Sequence, residues 1–235
     1  YYNGYRDEFR RKERIFMIIQ KATVEVLSAE RYEDMLRRVE RIGRVCYKSE
    51  DRIEEGSAEK FIRGIIRRGH ESVIEHGSIT VKFICDRGVT HEIVRHRIAS
   101  YSQESTRYCN YVKEKFGSQI TCIDLATGFR YDLSDETDRK KYEVWQRAME
   151  NAERSYFQMI ELGATPQEAR SVLPNSLKTE LVATMNLREW RHFFRLRADA
   201  AAHPQCREVA QMLLERFAKD YPVFFADLLE AQRAG

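Results

Sequence analysis

The apolar positions along the chain follow two periods. Residues 22–29, ATVEVLSA, alternate well enough for a strand. Between 29 and 49 the spacing turns helical, with Met35, Leu36, Val39, Ile42 and Val45 on one broad face. Ser57 opens a second helix, SAEKFIRGIIRRG, which turns Phe61, Ile62, Ile65 and Ile66 inward and stops at Gly69. SITVKFICD (78–86) sets Ile79, Val81, Phe83 and Cys85 against Thr80 and Lys82, the pattern of a strand with one buried face. Thr90 is placed to cap a short helix in HEIVRHRI, and residues 99–119 then lose apolar periodicity. So long a loop in a compact domain is usually functional or disordered, and this one reads as ordered.

Residues 135–163 read as a long helix ending at Gly163. In TPQEAR, Thr165 is the N-cap, Pro166 takes the first helical position and Glu168 completes a capping box. Pro174 ends that short helix, and KTELVATMN (178–186) is a strand. Asn186 caps the next helix, again with an acid three residues on, and Trp190, Phe193, Phe194 and Leu196 can pack inward. The last third is helical, broken at Pro222. Helices dominate, and the strands do not alternate with them one for one. The pattern predicts an α+β fold, a mixed or antiparallel sheet flanked by helices, rather than a doubly wound sheet.

Composition narrows this picture. A chain of 235 residues with 43% hydrophobic positions can fill one sizeable core. Residues 22–235 are expected to form a single domain, with 1–21 a variable N-terminal extension. Charged residues reach 33%, yet the net charge is only +3, which speaks against a dedicated nucleic-acid binder. The five cysteines are scattered without CxxC spacing, which suits free thiols in a reducing cytoplasm. No apolar run reaches the length of a membrane span.

Three polar constellations could carry chemistry. HEIVRH (91–96) invites a zinc reading, but its histidines are five apart, about 140° around a helix, and the cysteines supply no ligand set. No metal is expected. The triplet Arg95-His96-Arg97 splays around a short helix, and alone it reads best as a solvated basic turn. Behind it, however, come Gln103, Ser105, Thr106 and Arg107. Arginine forks match phosphate oxygens, and hydroxyls complete an anion cradle. GHESVIEH (69–76) offers His70, Ser72, Glu75 and His76, equally readable as a helix end with polar caps. In NLREWRHFFRLRADAAAHPQ (186–205), Arg188 and His192 share a helical face with Arg195. Arg191 and Arg195 read as a solvated face. Arg197 sits where the aromatic run ends, and Arg170 stands beside the TPQE cap, where backbone N–H groups favour an anion.

Together these segments resemble the flavin-dependent thymidylate synthases. The signature is Arg-His-Arg, seven residues, then Ser, here Arg95-His96-Arg97 to Ser105. GHESVIEH is similar to the family's upstream His-Glu-Thr/Ser…Glu-His segment, EARSVLP to its Arg-x-x-Leu-Pro element, and FFRLRADAAAHPQ to its Leu-Arg…His-x-Gln segment. Order and spacing agree from about residue 22 to 225.

The resemblance implies an α+β homotetramer with active sites at subunit interfaces. FAD would be reduced by NADPH. A methylene group would pass from 5,10-methylenetetrahydrofolate to dUMP, giving dTMP. By motif, FAD would meet His70, Ser72, Glu75, Arg95, His96, Arg97, Ile98, Asn186, Arg188, His192 and His203. The substrate dUMP would meet Glu92, Gln103, Glu104, Ser105, Thr106, Arg107 and Arg170, with the arginines on its phosphate. Arg197 would face the uracil and stabilise negative charge developing there. Glu92 stands where many relatives have glutamine; both accept a hydrogen bond, but an ionised acid cannot donate one. Ser105 has no base placed to make it a nucleophile. Neither nucleic acid nor membrane is expected as a partner.

Three rival readings carry less, one of them a flavin-binding protein with no dUMP chemistry, which would keep the His70 and Arg95-His96-Arg97 contacts but not require Arg107, Arg170 and Arg197 together. A flavin-free synthase would need a cysteine between Pro and Gln, and in HPQC the cysteine follows the glutamine. An RNA- or DNA-binding module could stack bases on Tyr101, Tyr108 and Tyr111, but the near-neutral charge opposes it.

Overall fold

A computed structural model describes residues 17–28, 30–108, 111 and 119–234. Its strands are β1 (Ile18–Gln20), β2 (Thr23–Ser28), β3 (Ser78–Asp86), β4 (Ala99–Gln103), β5 (Thr121–Ile123) and β6 (Lys178–Asn186). Its helices are α1 (Tyr32–Tyr47), α2 (Ser57–Arg67), α3 (Arg87–Ile93), α4 (Leu125–Phe129), α5 (Glu136–Glu161), α6 (Pro166–Ala169), α7 (Leu187–Arg197), α8 (Pro204–Asp220) and α9 (Pro222–Ala234). Short 3₁₀ turns cover Glu50–Arg52, Glu71–His76 and Arg170–Val172.

An antiparallel sheet, ordered β2-β3-β6-β4, forms the centre, and β1 and β5 pair in parallel beside it. Strands β3 and β6 pair along their full lengths, Ser78 with Asn186 through Asp86 with Lys178. Both alternate buried and half-buried positions along most of their length, as their period-two sequences require. The inner face of this pair meets α1, α2, α7, α8 and α9 around Met35, Val39, Ile62, Phe83, Leu181, Trp190, Phe193, Phe217 and Phe225, all buried. A second apolar cluster under α5 gathers Met17, Ile120, Cys122, Tyr156 and Leu177. Gly77 permits the close start of α7, because a Cβ there would lie 2.6 Å from Leu187 Cδ1.

The caps at Thr165 and Asn186 form as their sequences suggest, the Thr165–Glu168 box included, and Asp135 caps α5 by accepting from Thr137 N and Asp138 N. Elsewhere the structure departs from the pattern. The cap of α3 is Asp86, whose Oδ1 accepts from Val89 N at 2.6 Å; Thr90 lies inside the helix and donates to Arg87 O. Residues Ala99–Gln103, which read as loop, form the edge strand β4 against β6. Part of the remaining loop, 109–110 and 112–118, lies outside the described residues. Ile18–Gln20, read as extension, pair with β5, and Met17 is buried, so the folded part reaches back past residue 22. Residues 1–16 of that extension lie outside the described residues. Val45 and Leu196 are exposed rather than inward.

Arg191 is the largest departure. It reads as solvated but is 2% exposed. Its guanidinium forks onto Asp227 at 2.7 and 2.6 Å, donates to Phe224 O, and through Nε reaches Glu71 Oε1 at 3.0 Å. It thereby ties α7 to α9 and to the Glu71 turn. A buried charge is tolerated only with partners of this quality. Arg191→Ala is expected to cost about 3 kcal/mol of stability, read as a lower urea midpoint with an unchanged slope.

Candidate active site

Helix α7 supplies the framework. Leu187, Trp190, Phe193 and Phe194 face the core, and Trp190 Nε1 donates to Ile79 O at 3.0 Å. Its other faces carry polar groups. Arg188, His192 and Arg195 are exposed. Glu189 and Arg197, on the flank, meet the turn that follows α3.

That turn delivers His96 into the interior, where it is 3% exposed. Its Nδ1 lies 2.9 Å from Glu189 Oε1 and its Nε2 lies 3.2 Å from Arg197 Nε. The ring packs edge-on against Phe193 and His192. Burial holds the His96 imidazolium below its ordinary range, and nearby Arg197 and His192 add to this against the opposing pull of Glu189. Arg197 also donates through Nη1 to Glu92 Oε2 and through Nη2 to Glu92 O at 2.9 Å. Atoms of His96, Glu189 and His192 come within 4.8 Å of one another, a spacing that would suit a metal ion. Both ring nitrogens of His96 are already engaged, however, so a cation would have to break one of these bonds.

Beside this group lies a cleft of about 470 Å³, lined by Glu71, Glu75, Ile98, Asn186, Arg188, Glu189, His192 and Arg195. The volume is typical of small-molecule pockets. Two of its three carboxylates are matched by arginines: Glu75 accepts from Arg188 at 2.6 Å, and Glu71 from Arg195 at 2.8 Å as well as from Arg191, while Glu189 meets His96. Burial alone would raise the Glu71 carboxyl, but the Arg195 hydrogen bond and the Arg191 charge outweigh it and hold the group below the usual range. Arg95 and Arg97 are exposed beside the cleft's Ile98 and have no ion pair among the described residues. The cleft thus offers amide, imidazole and guanidinium donors with an apolar side chain, Ile98, that is 68% exposed. A flavin dinucleotide, with a flat ring system and a pyrophosphate, fits that donor set.

A second polar group gathers at the end of β4. Gln103 donates to Thr90 Oγ1 at 3.1 Å, and Glu104 accepts from Lys178 at 3.2 Å. Arg170 Nη1 lies 3.5 Å from Thr106 Oγ1, Ser105 Oγ accepts from Arg107 N, and the Arg107 guanidinium is exposed over Tyr108. Thr90 and Glu92 share α3, so this group joins the Arg197 cluster through one helix.

The structure therefore brings Glu75, Ile98, Asn186, Arg188 and His192 around one cleft, and Gln103, Glu104, Ser105, Thr106, Arg107 and Arg170 around one strand end. Of the other expected flavin contacts, Arg95, His96 and Arg97 lie beside the lining rather than in it, and three stand apart from it. His70 is exposed and bonds Tyr47 OH through Nδ1 at 2.7 Å. Ser72 is exposed on the Glu71–His76 turn. His203 begins α8 with its ring edge-on to Phe129. Glu189, Glu71 and Tyr47 are absent from the sequence-based set. Glu189 had a signal, the acid three residues after Asn186, but its carboxylate turns to His96 instead of closing a capping box. Tyr47 and Glu71 left no comparable trace.

Comparison with known proteins adds a separate line. Residues 27–223 match the family model described as Thymidylate synthase complementing protein. A flavin-dependent thymidylate synthase of Pyrococcus furiosus is 39% identical over 170 residues, which is 72% of this chain and 66% of that protein. One from Geobacter sulfurreducens is 32% identical over 191 residues, 78% of each chain. Among solved structures, the UMP/dUMP methylase PolB from Streptomyces cacaoi, bound with 5-Br dUMP, superposes with a TM-score of 0.72. It is 28% identical, and the match covers 92% of this chain and 97% of that one.

Glu71 gives a pH test. Its folded-state carboxyl titrates low, so the stability it contributes is present above its unfolded value, about 4.3, and is lost as pH falls through the folded one. Glu71→Gln should destabilise the protein at neutral pH, and the gap to wild type in urea unfolding should begin to narrow as the pH falls below about 4.3 and close only below the folded-state value.

Proposed function

Because the chain belongs to the Thymidylate synthase complementing protein family, we propose that it catalyses the flavin-dependent reductive methylation of dUMP to dTMP. FAD, reduced by NADPH, and 5,10-methylenetetrahydrofolate complete the reaction. One observation carries the reading. A single arginine, Arg197, is linked by hydrogen bonds to both sides of the site, through His96 and Glu189 to the cleft and through Glu92 to the helix behind the β4 group.

The residues divide the work. Arg107 and Arg170, with Ser105 and Thr106, take the dUMP phosphate, and Gln103 and Glu104 fix the nucleotide's place along β4. Arg95, Arg97 and Arg188, with Asn186, His192 and Ile98, hold the flavin, whose reduced form supplies the hydride that turns the transferred methylene into a methyl. Glu75 joins them from the cleft lining, and His70, Ser72 and His203, which stand apart from it, are assigned to the flavin by motif alone. Three of the five N–H donors of Arg197 are used by His96 and Glu92, leaving one on each terminal nitrogen for the uracil. A fixed positive charge beside the ring stabilises the negative charge that develops there and needs no covalent nucleophile. Glu92, ion-paired with Arg197, is positioned to accept but not to donate. A methylase structure holding a dUMP analogue, from a protein of similar fold, supports the choice of substrate.

The assembly is a homotetramer with sites at subunit boundaries, and its place is the cytoplasm. Exposure of Ile98 (68%) and Tyr108 (76%) at the site supports a boundary there. No described helix is long and apolar enough to cross a membrane.

The visible spectrum of the purified protein, taken before and after addition of dUMP, tests the reading. An oxidised-flavin band that shifts with dUMP is expected; a protein that is colourless and takes up no added FAD overturns it. Arg197→Ala should keep flavin and lose dTMP formation, so normal turnover would refute its role. Arg95→Ala should release flavin, read as a lower ratio of flavin to protein absorbance.

A further inference from the structure

His96 is clamped at both ends, and the chemistry of its partners fixes its protonation. Arg197 Nε carries one hydrogen and cannot accept, so His96 Nε2, at 3.2 Å, must present its lone pair. The proton of a neutral ring then sits on Nδ1, where Glu189 Oε1 accepts it at 2.9 Å. Both contacts are met by one tautomer and by no other. Glu189, Phe193 and Arg197 follow one another at i, i+4 and i+8 on α7, so a single stripe holds the ring's two nitrogens and its face. The ring is buried, which keeps water from replacing either partner.

We propose that Glu189 and His96 are positioning residues for Arg197: Glu189 fixes the Nδ1–H tautomer of His96, and the bare Nε2 then holds the Arg197 guanidinium in its working orientation. Glu189 acts only through His96, and His96 serves the arginine before it serves the flavin. The inference rests on the reading of Arg197 as the uracil-facing residue. Protonating His96 would set an N–H against an N–H and one positive charge against another, and would release Arg197. The charged groups that bear on the ring are Glu189, His192 and Arg197 from α7, with Glu92 of α3 acting through Arg197. The one group from β4 is Tyr101, whose hydroxyl donates to His96 O. Burial already disfavours the imidazolium, so the release would come on the acid side of neutrality.

Two measurements on the flavin-loaded protein decide this. The first is the ¹⁵N spectrum of histidine-labelled protein, with His96 assigned by substitution. A protonated Nδ1 and a bare Nε2 at neutral pH are expected; an Nε2–H tautomer or an imidazolium overturns the proposal. The second is the pH profile of kcat in Glu189 variants. Glu189→Ala should lower kcat about tenfold to a hundredfold, the equivalent of one charge-assisted hydrogen bond, while KM for dUMP and flavin content hold. Glu189→Gln keeps an acceptor oxygen and should recover much of that rate. It removes the charge that favours the imidazolium, so its acid limb should move to lower pH. An acid limb that stays put, or a rate loss matched by flavin loss in both variants, overturns the role. If the wild type makes no dTMP, the proposed reaction fails and the tautomer still decides the clamp; a wild type that makes dTMP with His96 as the Nε2–H form sinks the clamp alone.

Discussion

Everything in the site hangs from the burial of one face of α7. Trp190, Phe193 and Phe194 pack into a ring cluster with Phe217 and Phe225, with centroids as close as 5.0 Å. Aromatic burial of this kind is worth several kcal/mol and leaves the helix no freedom to turn. With that face fixed, the rest is geometry. Arg188, His192 and Arg195 must face outward, and Glu189 and Arg197 must point along the flank toward α3. A helix held only by polar contacts could not place a guanidinium to within a few tenths of an ångström, and a charge that stabilises a developing anion is useful only when its position is preset.

The same helix shows what residue pattern can and cannot reveal. Strands β3 and β6 were readable to the residue, because a sheet with one buried face imposes strict alternation. Strand β4 was not, because ASYSQ lies at the sheet edge and carries serines where an inner strand has apolar residues. Its pairing comes from backbone groups of β6 and leaves no side-chain signature. The start of α3 was hidden for a related reason. Asp86 ends a strand and caps a helix at once, and Thr90 four residues on looks like an equally good cap until its hydroxyl is seen to bond within the helix.

The site divides along similar lines. Short motifs with fixed spacing pointed to Glu75, Ile98, Asn186, Arg188 and His192 of the cleft lining, since one turn or one helix face presents residues close in the chain. Residues that act at long sequence separation left no such mark. Glu189 and His96 are 93 positions apart, and Arg191 and Asp227 are 36 apart. Neither pairing is visible before the fold is known. Helical phase alone put Arg191 on a solvated face, because an arginine three residues from a phenylalanine gives no sign that carboxylates from two other segments will meet it.

Arginine number is therefore a poor guide to anion binding in this chain, and carboxylate placement is a better one. The chain carries 40 basic and 37 acidic residues, so net charge alone does not say which arginines are matched. Arg191 is consumed by structure, and Arg188 and Arg195 are held by Glu75 and Glu71 at the rim of the cleft. Arg95, Arg97 and Arg107 have no such partner among the described residues, and all three belong to the one segment that also supplies hydroxyls and an amide. Unmatched guanidinium groups repel one another and gain nothing from the fold. Other described arginines, Arg67 and Arg68 among them, also lack an ion pair, so what sets these three apart is the company of hydroxyls and an amide in one short stretch, the donor set that phosphate groups take. Arg197 stands between the two conditions: paired with Glu92 and His96, it still keeps a donor on each terminal nitrogen. It is thus held firmly enough to be preorganised and left open enough to bind.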